Sequence, residues 1–166
     1  MAGLAHLGFG LAAKPLAPKV NVGYLILGAY AIDVVWFGCY IAGLEGFPKG
    51  SGPIAPPMYS HSLVMSTSWS VLFGAIAGWL WRSRRIGVVF GLVVFSHWLV
   101  DFMSHPMTAF FPHDVGLTLA FDNHQLIGLG LYRDKIVANL CEYGSLAAGL
   151  AIYLSARLLM RRKQVS

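Results

Sequence analysis

Three residues in the run Ser96-His-Trp-Leu-Val-Asp-Phe-Met-Ser-His-Pro106 carry side chains that can do chemistry: His97, Asp101 and His105. A spacing of four puts all three on one helical face, about 6 Å apart per step, so two or three of them could ligate one ion. Mixed nitrogen and oxygen donors in an H-x-x-x-D pair suit a borderline or hard divalent cation. The alternative is a structural His–Asp hydrogen bond. The surrounding run is apolar, and an ionisable side chain costs roughly 2.5 to 3.5 kcal/mol at the centre of an inserted helix, so such a face is a functional hypothesis by default. His105, one turn further out, is open between a third ligand, a proton donor and an interfacial residue.

Composition decides the solvent. The chain has 166 residues, 57% of them hydrophobic and only 11% charged, whereas soluble domains typically carry about 25% charged residues. This is the composition of a single integral membrane domain over residues 1–166. Four segments approach the ~20 residues needed to cross a hydrocarbon core, at about 22–41, 63–81, 86–103 and 136–160. Backbone groups in lipid must pair internally, and no alternating strands suggest a barrel. The expected fold is therefore all-α: four transmembrane helices, preceded by a short re-entrant or interfacial helix in residues 1–13.

Lys14 and Lys19 precede the first span, Arg82, Arg84 and Arg85 join the second to the third, and Arg161, Arg162 and Lys163 follow the fourth. All three clusters fall on one side, which the positive-inside rule makes cytoplasmic, together with both termini. The +5 net charge is a topology signal on this reading, and no nucleic-acid surface is expected. The two longer connections, 42–62 and 104–135, fall on the opposite side with His61, His105, His113, Asp114, Asp122 and His124. Chemistry should face that extracytoplasmic side.

Two further residues fit the same depth. Asp33 lies inside the first span, where an unpaired carboxylate would need a cation, a proton or a hydrogen-bonding neighbour. His61 opens the second span in Tyr59-Ser-His-Ser62, on the same side as the His97 face, as an interfacial or capping residue or as a ligand. His6 is harder to place. With straight helices it stands ~12 Å from the level of Lys14 and Asp33 ~21 Å from that of Lys19, so the two meet only if helices tilt or the site lies at mid-depth. Cys39 and Cys141 both fall near outer span ends; packed free thiols are expected there rather than a disulfide. Small residues such as Gly74, Ala77, Gly78 and Gly149 allow close helix approach, and packing within the chain accounts for them without an oligomer.

The motifs Ala5-His-Leu-Gly-Phe-Gly-Leu-Ala12, Ala31-Ile-Asp33, Tyr59-Ser-His-Ser-Leu63 and Ser96-His-Trp-Leu-Val-Asp101 resemble, in order and spacing, the bacterial membrane-bound metal-dependent hydrolase family, of the LexA-regulated inner-membrane type. That family is in turn distantly similar to the zinc-dependent phospholipase C superfamily. The resemblance implies a bacterial inner-membrane protein in which His6, Asp33, His61, His97 and Asp101 ligate a divalent metal, most simply zinc. It also implies hydrolysis of a phosphoester in a lipid or lipid-linked substrate. The chain departs from the family where Asp33 is followed by Val34, Val35 and Trp36 in place of a second carboxylate and a His, which implies fewer ligands. Within this reading His105 or His113 protonates the leaving group. The rival expectation is a non-enzymatic protein that uses the His/Asp site for metal or proton transport or for structure. Transport predicts polar residues continuing toward the cytoplasmic side, and residues 72–81 and 86–95 contain none.

Overall fold

A computed structural model describes residues 3–45, 59–104, 117–118 and 126–165. Its helices are α1 (Gly3–Ala12), α2 (Val22–Ala29), α3 (Ala31–Ile41), α4 (Leu63–Leu80), α5 (Arg84–Ser104) and α6 (Lys135–Val165). Single 3-10 turns at Tyr59–His61 and Leu131–Arg133 lead into α4 and α6. Within the long connection expected to be loop, Leu117–Thr118 (β1) and Leu126–Ile127 (β2) form a short antiparallel ladder, Leu117 opposite Ile127. Three helical stretches, Leu63–Leu80, Arg84–Ser104 and Lys135–Met160, are each long and apolar enough to cross a membrane.

The helices begin where the sequence supplies caps. Asn21 accepts the Gly23 N–H at 2.9 Å, and Ser62 accepts the Met65 N–H at 3.2 Å. Asp134 accepts from both Ile136 N, at 2.7 Å, and Val137 N, at 3.2 Å. Each satisfies donors that a helix start leaves orphaned.

The first expected span is not one straight helix. It breaks at Tyr30 into α2 and α3, whose axes differ by 55°; the pair adds a fourth crossing only if counted as one broken span. No proline causes this. Tyr30 sits at φ −101°, ψ 5°, between the helical and extended regions. The Ala29 carbonyl beside it accepts a hydrogen bond from His97 Nδ1 at 2.8 Å. A side chain that captures a helix carbonyl in this way is a recognised cause of a kink. The Tyr30 hydroxyl, in turn, donates to the Gly3 carbonyl and ties the break to the start of α1.

Two glycine seams set the helix spacing. On α4 the buried residues Ser66, Ser70, Gly74 and Ala77 make a face of small side chains against α5. A Cβ on Gly87 would lie only 2.8 Å from the Gly74 carbonyl oxygen, so the two backbones are in direct contact. Gly8 and Gly149 do the same for α1 and α6: the space a Cβ would need at Gly8 is filled by the Ser145 and Leu146 backbone, and at Gly149 by the Gly8 backbone. The N-terminal helix is therefore a packed member of the bundle, with Ala5, His6, Gly8, Gly10 and Leu11 buried, rather than an interfacial strip. Outside that seam α6 turns Ile136, Leu140, Leu150, Leu154 and Leu158 outward. An apolar face of this extent fits lipid as its surroundings. Cys39 and Cys141 are free thiols.

Candidate metal centre

Five side chains that are far apart in sequence meet at the end of the α4–α5 hairpin remote from Arg82–Arg85. His97 and Asp101 come from successive turns of α5, and His61 from the 3-10 turn that precedes α4. Asp33 comes from the first turn of α3, and His6 from α1. The depth mismatch that straight helices would impose on His6 and Asp33 disappears because of the break. His6 is six residues, about 9 Å, back from the end of α1, while α2 climbs only about 11 Å before the chain turns. Asp33 follows directly on that turn.

The donor atoms form two overlapping groups that share His97: His6, Asp33 and His97, and His61, His97 and Asp101. His61 Nε2 is 3.3 Å from Asp33 Oδ1 and 3.9 Å from Asp101 Oδ2. His97 Nε2 is 3.5 Å from Asp33 Oδ1 and 3.3 Å from Asp101 Oδ2. Donors held about 2.0 to 2.2 Å from a tetrahedral ion lie roughly 3.3 to 3.6 Å from one another. Three of these four separations match that spacing. His6 Nε2 is 3.5 Å from the other oxygen of the same carboxylate, Asp101 Oδ1. Its ring stacks on that of His97, with centroids 3.9 Å apart.

The hydrogen bonds leave the inward nitrogen of His97 bare. A carbonyl only accepts, so the bond to Ala29 places the proton of a neutral His97 ring on Nδ1 and the lone pair on Nε2. His97 Nε2 makes no hydrogen bond of acceptable geometry, although two carboxylate oxygens lie within 3.5 Å of it. His61 Nε2, by contrast, hydrogen-bonds Asp33 Oδ1 at 3.3 Å, and donors crowded in this way could hold a metal ion. The bond from a ligand's second nitrogen to a backbone carbonyl is the usual device that orients a metal-binding imidazole. The residues thus fit a divalent ion on donor chemistry and on spacing.

His6, His61, His97 and Asp101 are buried, and the Asp33 side chain, 30% exposed, is the way in from outside. Below the site lie Ala31, Ile32 and Val94, packed with Trp69, Phe73 and Phe90. Among the described residues this apolar plug lies on the side of the site toward Arg82–Arg85. Beside it a cavity of about 350 Å³ is lined by Cys39, Leu44, Glu45, Tyr59, Ser60, Met65 and Trp69.

Of the sequence candidates, His6, Asp33, His61, His97 and Asp101 are brought together. His105 and His113 lie outside the described residues. Sequence reasoning missed two supporting carboxylates. Glu142 on α6 accepts the Ala5 N–H at 2.9 Å and so fixes the residue next to His6. Tyr132 packs against Ala5 and Val100, and burial, with Glu142 beside it, pushes its hydroxyl pKa up. Glu45 bonds Ser60, the neighbour of His61. The available signal was scarcity: the whole chain has only seven acidic residues, and carboxylates in so apolar a sequence rarely lack a partner.

No protein-family model matches the chain. No curated protein and no solved structure shows significant similarity to it either.

Proposed function

We propose that this protein is a membrane-embedded, metal-dependent hydrolase that cleaves a phosphoester in a lipid or lipid-linked substrate. The observation that carries this reading is the convergence of five buried or half-buried His and Asp donors, from four separate segments, in two overlapping groups of three that share His97, with four of five nitrogen–oxygen separations between 3.3 and 3.5 Å. That spacing favours a zinc-class ion, since octahedral magnesium at ~2.0 to 2.1 Å would draw neighbouring oxygens closer together. Bound there, the ion would supply Lewis acidity, which activates water near neutral pH and polarises a phosphoryl oxygen.

The chain's own residues do the rest. Asp33 and Asp101 offset the charge of the ion in a buried setting, and His61 and His97 present fixed nitrogens. The Asp33 side admits water and a headgroup, while the apolar plug beneath keeps the site from draining through the bundle. His105 and His113 are the sequence's candidates for proton donation to the leaving group. The ordered resemblance of the four motifs to membrane-bound metal-dependent hydrolases supports the same reading, and with it a bacterial inner membrane and an extracytoplasmic site.

The test combines metal analysis with turnover. Protein purified in detergent and loaded with zinc should hold the metal stoichiometrically and release phosphate or a phosphorylated headgroup from phospholipid vesicles. The double variant His97→Ala, Asp101→Ala should lose both. A folded double variant with full metal content would overturn the site assignment. Stoichiometric metal with no release from any lipid phosphoester, but with Asp33-dependent ion flux in proteoliposomes, would replace hydrolysis with transport.

A further inference from the structure

Behind His61 runs a second chain of hydrogen bonds that belongs to no ligand. Glu45 Oε1 accepts the Ser60 backbone N–H at 2.8 Å, and Glu45 Oε2 accepts the Ser60 hydroxyl at 2.8 Å. Ser60 Oγ is also 3.0 Å from His61 Nδ1. All three residues are buried.

Proton counting fixes the direction of this chain. A carboxylate offers only acceptors and a serine hydroxyl has one proton. With that proton committed to Glu45, Ser60 Oγ can meet His61 Nδ1 only as an acceptor, so the ring's N–H sits on Nδ1. A neutral imidazole has a single N–H. Held on Nδ1 by this chain, that proton leaves Nε2 of the neutral ring bare; the 3.3 Å hydrogen bond of Nε2 to Asp33 Oδ1 then requires a second ring proton, whose place a bound cation would take.

We infer that Glu45 is a positioning residue for the metal centre: acting through Ser60, it holds His61 in the one tautomer whose Nε2 can ligate. The inference rests on the metal reading above and extends it to a residue that never touches the ion. It gives His61 what the Ala29 carbonyl gives His97. It also explains why a carboxylate is buried against a serine beside an otherwise apolar cavity.

Glu45→Gln is a sharp test, because it keeps size and shape while reversing the chain. The Ser60 N–H still requires an acceptor, so the amide oxygen takes the Oε1 position and the amide N–H2 faces Ser60 Oγ. The hydroxyl then donates to His61 Nδ1, and the ring proton moves to Nε2, where it blocks the ligand. Outer-shell partners of metal-bound histidines are typically worth 10- to 100-fold in affinity. Zinc titration by chelator competition on the full chain in detergent should show a loss of that size for Glu45→Gln. Ser60→Ala, which keeps the backbone bond to Glu45, should weaken binding, and adding Glu45→Gln to it should weaken binding little further.

Nitrogen-15 spectra of the neutral His61 ring in metal-free protein give an independent reading. They should show Nδ1–H in the parent and Nε2–H in Glu45→Gln. Parent-like zinc affinity in a folded Glu45→Gln protein, or an unchanged tautomer, overturns the role of Glu45 and leaves the metal site standing. A parent that takes up no zinc overturns the metal reading, and the tautomer spectra still decide the Glu45 chain. If Glu45→Gln fails to fold, parent-like affinity and tautomer in Ser60→Ala overturn the inference.

Discussion

At the scale of residues, the site is defined by which nitrogen of each imidazole is free. His97 and His61 have their Nδ1 atoms engaged by Ala29 and Ser60, whereas His6 Nδ1 has no hydrogen-bond partner among the described residues. His6 is thus held by stacking and by its approach to Asp101 rather than by a fixed proton. This ranks the ligands. His97→Ala should remove stoichiometric zinc altogether, and Asp101→Asn should do nearly the same, because that carboxylate faces all three histidines. His6→Ala should weaken zinc without abolishing it. Equilibrium dialysis of the three variants checks the order, and a His6→Ala protein with no zinc at all would contradict it. The i, i+4 spacing made the His97–Asp101 pair legible in sequence, since helix geometry alone puts those side chains together. The tautomers were not legible, because their partners, a carbonyl 68 residues away and a serine backed by Glu45, are chosen by the fold.

At the scale of elements, backbone contacts rather than large side chains set the distances. Gly149 lies against Gly8, and α1 carries His6 two residues before that contact. Gly149→Leu should push α1 off α6, costing about 1 to 3 kcal/mol as overpacking does, and should lower zinc affinity by drawing His6 away. Gly144→Leu is the matched control, since a Cβ there meets nothing within 4 Å. Thermal unfolding and zinc titration of the two variants should separate them; equal behaviour would show that the seam does not position His6. At the other end of α6, Asp134→Ala removes a cap that bonds two backbone N–H groups, a loss of about 1 kcal/mol. It is exposed and its bonds are to the helix start, so unfolding should shift while zinc affinity stays constant. Small residues in these segments were visible in the sequence as sites of close approach. Which helix each one would touch was not, because a glycine records that something comes near and says nothing of what.

At the scale of the whole molecule, the His/Asp cluster is a clasp. It joins α1, the α2–α3 break, the turn before α4 and the end of α5 through buried or half-buried polar groups. An ion that binds only the folded form should therefore stabilise the whole bundle, by about 2.7 kcal/mol at a hundredfold excess over its dissociation constant. Melting of the detergent-solubilised protein should move up with zinc and down with a chelator, and the His97→Ala, Asp101→Ala variant should show neither shift. The sequence by itself determined the helices long and apolar enough to cross a membrane, the mostly helical class and the residues able to ligate, because apolar length, charge scarcity and four-residue spacing are local properties. It also set an expectation of a straight first span that the tertiary structure corrected. The break at Tyr30 lies beside the Ala29 carbonyl, which takes a hydrogen bond from a histidine of α5, a contact between segments that no local pattern encodes. The break brings Asp33 to the level of His6, and the bond beside it engages His97 Nδ1 and leaves Nε2 bare. The donors were written in the chain; only the fold could bring them together.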